Sequence, residues 1–289
     1  MDALLTRLEG TLGPREGDAV ALHGGITNRN YRVRMGGVDY VVRISGKDTH
    51  LLGIDREAER AASESAYLAG VAPAVAAFVA DEECLVTAFV SGRTLGPGDV
   101  RAQLPRVAAA LLVMHAGPAV PVVFSPFRIA ERYLVLTRAR GGRVPAACAE
   151  AAVVAGRLEE ALGAGERVLC HNDLLPANFL DDGDRLWIID WEYAGMGDPR
   201  FDLGNLSVNN GFTLDDDRAL VAAYYGEVDE RRLAQLRLMR AVSDWREATW
   251  GVVQQTISDL DFDFRGYAEE HLERMLASDW EGWIDGATA

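Results

Sequence analysis

Through much of the first ninety residues apolar side chains alternate with polar or small ones, and through nearly all that follow they recur at helical spacing. This single change of period constrains the fold more than any other feature of the chain. Val20 and Leu22, then Tyr31, Val33 and Met35, keep the alternation. Gly36 and Gly37 supply a tight turn, and Val38, Tyr40, Val42 and Ile44 resume it, which predicts a hairpin. Over 54–70 the residues Ala58, Ala61, Ala62, Ala66 and Ala69 fall at helical spacing and end on Gly70, a suitable helix C-terminus. Strand-like runs at 75–80 and 84–90 flank the turn Asp81-Glu82-Glu83. Residues 91–98, rich in Gly with Ser and Pro, read as a linker. Beyond it helices are expected over 100–115, 129–138, 146–162, 214–225, 230–255 and 267–284. Two short apolar runs, 168–170 and 186–190, predict a small hairpin around the turn at 181–184. The expectation is an α+β chain with an antiparallel sheet lobe and one main helix over residues 1–90. A larger helical lobe over 99–289 should carry catalysis and substrate binding.

Composition removes several classes of function. The formal net charge is −15, and nucleic-acid binding draws its affinity from Lys and Arg on phosphates, so neither nucleic acid nor an anionic membrane surface is an expected partner. Cys84, Cys148 and Cys170 are too few and too scattered for a disulfide framework or a zinc site, and their odd number fits a reducing, cytoplasmic compartment. Residues 1–10 place an acid at position 2 and hold no long apolar stretch, unlike a secretory signal. The longest stretch without a charged residue, 107–127, is broken by Gly117, Pro118, Pro121 and Pro126 and cannot be one spanning helix.

The chemistry concentrates around the expected small hairpin. Asp173 is followed five residues later by Asn178, and Asp190 closes an apolar run. Phosphoryl transfer asks for this set: one carboxylate beside the attacking hydroxyl, and an Asn oxygen and a second carboxylate to hold Mg²⁺ against nucleotide phosphates. Any one of these residues alone is a common turn former; together, on strand, loop and strand, they predict a kinase site. Only seven residues separate Asp190 from Asp198, which leaves no room for a long loop that docks a polypeptide, so the acceptor is expected to be a small molecule.

These motifs resemble the choline/ethanolamine kinase branch of the aminoglycoside phosphotransferase-like kinases, over nearly the full length. The resemblance implies a protein-kinase-like two-lobed fold, ATP and Mg²⁺ as cofactors, and an acceptor that is a cationic alcohol. The segment Gly24-Gly25-Ile26-Thr27-Asn28-Arg29-Asn30-Tyr31 resembles the family's nucleotide-binding turn and implies that Thr27, Asn28 and Asn30 meet the nucleotide. Arg43 stands where other kinases of this fold carry a phosphate-holding Lys, as it commonly does in this branch. Lys47, the sole lysine, lies elsewhere. The resemblance implies a Glu partner for Arg43 on the following helix, here Glu59, with Glu57 as the alternative, and adenine against the backbone near Thr87 to Phe89. His171 and Asp202 are implied as architectural supports of the catalytic loop. On the acceptor side it implies Glu192 and the aromatics Tyr193, Trp250, Phe262 and Tyr267, which would surround an ammonium group. Two departures stand out: Asn209 replaces a carboxylate, and Glu247 replaces a further Trp; Glu247 shares a helix face with Trp250 and is expected on the acceptor side, where its carboxylate would attract an amine. The expected activity is transfer of the γ-phosphate to the hydroxyl of choline or a related amino alcohol, by catalytic residues Asp173, Asn178, Asp190 and Arg43. The rivals are a kinase of another hydroxylated amine and a catalytically silent nucleotide- or choline-binding protein.

Overall fold

The computed structural model describes residues 1–22, 28–46 and 48–289. It begins with a helix, α1 (Asp2–Leu12), followed by strands β1 (Val20–Leu22), β2 (Asn28–Met35) and β3 (Val38–Ser45). Gly36 and Gly37 join β2 to β3 at φ 53° and 81°, the left-handed pair a two-residue hairpin needs. Helix α2 (Arg56–Ala69) starts where Asp55 accepts hydrogen bonds from the amides of Glu57 and Ala58, and stops at Gly70. Strands β4 (Val75–Val79) and β5 (Cys84–Ala88) complete an antiparallel sheet in the order β1-β2-β3-β5-β4. Register sets Asn30 opposite Arg43, and Arg43 opposite Leu85. Leu4, Leu5 and Leu8 of α1 pack on Val33, Met35, Val42 and Val86 of the sheet. The helix was absent from the sequence expectation, although Leu4, Leu5 and Leu8 lie at helical spacing.

Residues 91–98, expected as a linker, take up regular structure. Strand β6 (Arg93–Thr94) pairs with β8 (Phe179–Asp181), Leu95 is buried, and helix α3 starts at Pro97 (Pro97–Ala102). Helices α4 (Leu104–His115), α5 (Pro126–Ala139) and α6 (Ala147–Leu162) follow. The next strands are β7 (Val168–Cys170), β8 as above, β9 (Leu186–Ile188) and β10 (Gly195–Gly197). The small hairpin is formed by β8 and β9, with β7 paired instead to β10. The 168–170 and 186–190 runs are therefore not partners. Helices α7 (Pro199–Asn209), α8 (Leu214–Tyr225), α9 (Glu230–Ile257), α10 (Phe264–Leu276) and α11 (Trp280–Thr288) close the chain, so the helix expected over 267–284 is two.

Helix α9 is the axis of this second part. Every residue from 241 to 254 is buried, as befits a helix packed on all sides. Its neighbour α7 approaches at Gly204, where a Cβ would stand 2.6 Å from the carbonyl carbon of Met239. Only glycine permits that backbone contact. No helix of the described residues is long and apolar enough to cross a membrane.

Candidate active site

The loop after β7 is held from below by α7. The Asp202 carboxylate accepts the amide N–H of His171 at 2.9 Å and of Asn172 at 2.7 Å, and the Asn205 side-chain oxygen accepts that of Leu174 at 2.6 Å. The two bonds to the Asp202 carboxylate fix the loop more firmly than bonds to a neutral acceptor would. Within the loop the Asp173 amide donates to His171 Nδ1 at 3.3 Å, while His171 Nε2 faces the Ile189 carbonyl at 2.9 Å. Burial lowers the His171 pKa, which keeps the ring neutral, and it sits in the architectural place the sequence suggested. Asn172 and Asp190 both take left-handed backbone, at φ 67° and 70°, a conformation Asn and Asp tolerate better than other side chains.

This frame gathers Asp173, Asn178 and Asp190. The Asn178 amide nitrogen donates to the Asp173 carbonyl at 2.8 Å, which leaves its Oδ1 as the atom available to a cation, and Ile189 N–H bonds the Asn178 carbonyl at 2.9 Å. Burial, first, and then the neighbouring Glu247, Asp190 and Glu192 push the Asp173 carboxyl up to about 8, against the opposing pull of Arg246.

From the sheet, Arg43 reaches Glu59 of α2 at 2.5 Å and Asp190 at 2.8 Å. The carboxylate facing it is thus that of Glu59, while Glu57 pairs with Arg60 at 3.0 Å. Arg56, which the sequence reading did not single out, extends the network to Glu59 at 2.6 Å and Glu192 at 3.3 Å, and donates to Asn28 at 3.2 Å and Thr49 at 3.0 Å. Asn28 in turn donates to Glu192 at 2.8 Å. Asn28 and Glu192, expected on the nucleotide and the acceptor, therefore share one buried ionic network. Glu192 is pulled there because it follows Asp190 by two residues and meets the Arg at the start of α2. Asn30 lies beside Arg43 with its Oδ1 buried and unpartnered among the described residues. Thr27 lies outside the described residues. At the end of β5 the Phe89 amide donates to the Asp39 carbonyl at 2.9 Å, its ring lies under Arg32, and Thr87 pairs with Val41 and Val75. The Phe89 amide is thus committed within the sheet and does not offer adenine a donor.

The aromatics expected on the acceptor side lie close together. Trp250 and Tyr267 rings are 5.6 Å apart, Phe262 is 5.9 Å from Tyr267, and the Trp250 indole N–H donates to the Tyr193 hydroxyl at 3.2 Å. Tyr267 donates its hydroxyl to Glu247 at 2.8 Å. Phe262 remains exposed at the rim. Among these groups stands Arg246, which the sequence reading missed: its guanidinium lies 4.3 Å over the Tyr193 ring, pairs with Glu247, and comes within 3.8 Å of Asp173. The signal was a lone Arg inside the 241–254 stretch, where most residues are apolar or small.

The sequence profile of the phosphotransferase enzyme family matches residues 18–253. Protein LicA of Haemophilus influenzae is 31% identical over 189 residues, covering 63% of this chain and 56% of that protein. Ethanolamine kinase 2 of Mus musculus is 28% identical over 262 residues, 79% of this chain and 66% of its own length. The chain therefore spans between about half and two-thirds of these curated relatives. Among solved structures, a choline/ethanolamine kinase family protein from Mesorhizobium loti superposes with a TM-score of 0.82 at 30% identity, covering 99% of this chain and 98% of that one. Choline kinase LicA from Streptococcus pneumoniae has the same fold, with a TM-score of 0.82 at 24% identity over 99% of each chain.

Proposed function

The chain belongs to the choline/ethanolamine kinase branch of the phosphotransferase enzyme family, with its protein-kinase-like α+β fold, and from that premise we propose that it transfers the γ-phosphate of ATP to the hydroxyl of a small polar acceptor. The observation that carries this reading is the meeting of Asp173, Asn178, Asp190 and Arg43 at one point between sheet and helices.

Asn178 Oδ1 and the Asp190 carboxylate are oxygen donors of the kind a hard divalent cation takes, and they fit Mg²⁺. When bound, Mg²⁺ neutralises phosphate charge and orients the transferred group. Asp173 orients the acceptor hydroxyl and takes its proton. Arg43, fixed by Glu59, offers a guanidinium fork to phosphate oxygens, and burial of the site keeps water from competing. Asp202 and Asn205 keep Asp173 at its place without touching the reacting atoms.

The narrower expectation, choline or a related amino alcohol, is supported by the grouping of Trp250, Tyr267 and Tyr193 and by the likeness to ethanolamine kinase 2 and choline kinase LicA. Arg246 in the same pocket weighs against a quaternary ammonium. The test is a screen of hydroxylated amines, sugars and neutral alcohols with ATP and Mg²⁺, read by ADP release and by phosphorylated product. No transfer to any acceptor, with ATP binding intact, would favour the silent-binder rival.

A further inference from the structure

An aromatic face holds one cation at a time, and in this chain that cation is part of the protein. Arg246 is 2% exposed, stacks 4.3 Å over Tyr193 and pairs with Glu247. The Tyr193 face and the Glu247 carboxylate, both expected to draw a substrate ammonium, are therefore already in use. The remaining polar groups of the pocket are committed as well, Trp250 to the Tyr193 hydroxyl and the Tyr267 hydroxyl to Glu247. An ammonium entering beside Arg246 meets a like charge and a carboxylate whose charge is already answered. An anion does no better, since Arg246 already faces two carboxyl groups, Glu247 in direct contact and Asp173 at 3.8 Å. Two donors of Arg246, Nε and Nη2, are buried with no partner among the described residues. Buried guanidinium groups ordinarily satisfy their donors, so these two mark a place for a ligand oxygen.

We propose that Arg246 is the built-in cation of the acceptor site, so that this chain phosphorylates an uncharged hydroxylated molecule that presents a second oxygen to Arg246, and rejects quaternary ammonium alcohols. The proposal rests on the phosphoryl-transfer reading above and narrows its acceptor. It makes Arg246 the residue that decides specificity.

The full-length chain is assayed with ATP and Mg²⁺ on choline, on its neutral isostere 3,3-dimethyl-1-butanol and on glycerol. Expected for the wild type is a kcat/KM at least tenfold higher for each neutral alcohol than for choline. Arg246→Met keeps the apolar stem on Tyr193 and frees Glu247; it should invert the choline-to-isostere ratio by at least a hundredfold and penalise glycerol. Arg246→Lys keeps the charge and should keep the wild-type order. A wild type that prefers choline to its isostere overturns the proposal without any variant, as does an Arg246→Met protein with an unchanged ratio. Binding of tetramethylammonium, followed by tryptophan fluorescence, needs no turnover and should be at least tenfold tighter in Arg246→Met than in the wild type. Equal affinity overturns the role of Arg246. Absence of transfer to every alcohol sinks the kinase reading alone, and the tetramethylammonium ratio then still decides on Arg246.

Discussion

The Asp173 carboxyl is pushed up to about 8 in the ligand-free protein, chiefly by burial. An acid whose folded pKa exceeds its unfolded one holds a proton that the unfolded chain releases. Its contribution therefore makes the ligand-free protein less stable as pH rises from about 4 to about 8. Asp173→Asn removes this cost, so urea unfolding should show the variant gaining at least ~1 kcal/mol over the wild type at pH 8 relative to pH 5. No difference between the two pH values would show that the carboxyl titrates in its ordinary range. The same variant, and Asp173→Ala, should lower kcat by about 10²-fold to 10⁴-fold while ATP binding, read by calorimetry, stays near wild type, because the base meets the acceptor and not the nucleotide. Arg43→Ala leaves Asp190 without its cation and Glu59 with Arg56 alone. A loss of ~3 kcal/mol or more in stability and a raised KM for ATP are expected, with Arg43→Lys recovering part of both. At this scale the grouping of Asp173, Asn178 and Asp190, the proposed catalytic set, was legible from their spacing along the chain. Arg56 and Arg246 were not, since their importance lies in partners 136 residues away in one case and in the burial of a whole helix in the other.

Elements that rest on local pattern were readable, and those that rest on distant pairing were not. The β2–β3 hairpin and α2 follow from alternation, a Gly-Gly turn and a capping Asp. The β7–β10 pair was hidden because its second strand is Gly195-Met196-Gly197, a poor strand former, and because its partner lies across the whole catalytic loop. Helix α7 was hidden by burial on all sides, which erases the amphipathic stripe a surface helix shows. The helix α1 adds a testable part. Leu5 is 1% exposed in the core under the sheet, and Leu5→Ala should cost ~2 to 4 kcal/mol in urea unfolding. A cost below ~1 kcal/mol would mean that α1 rests on the sheet without securing it.

For the molecule as a whole, the sheet and the helices meet through charge. Arg43 to Asp190, Arg56 to Glu192 and Asn28 to Glu192 all join residues of the first part to residues of the second, and most of these side chains are buried. Buried pairs are screened little by salt, so the unfolding midpoint should shift by no more than a few degrees between 0.05 and 0.5 M salt. A large fall would place the junction's stability in exposed pairs instead. Asp190 serves this junction and, in the proposed mechanism, the metal too. Asn178→Ala and Asp190→Ala should therefore both raise the Mg²⁺ needed for half-maximal rate, but only Asp190→Ala should also loosen the two parts, seen as faster proteolysis between them. An unchanged Mg²⁺ curve in both removes them from the metal site. The backbone contact at Gly204 bears on how such a protein can diversify. Because α7 carries the supports of Asp173 and α9 carries Arg246, Glu247 and Trp250, that contact sets the spacing between the two helices that frame the proposed acceptor site. Descendants of this chain can exchange side chains along α9 around the proposed site, but any that fill position 204 must first push the two helices apart.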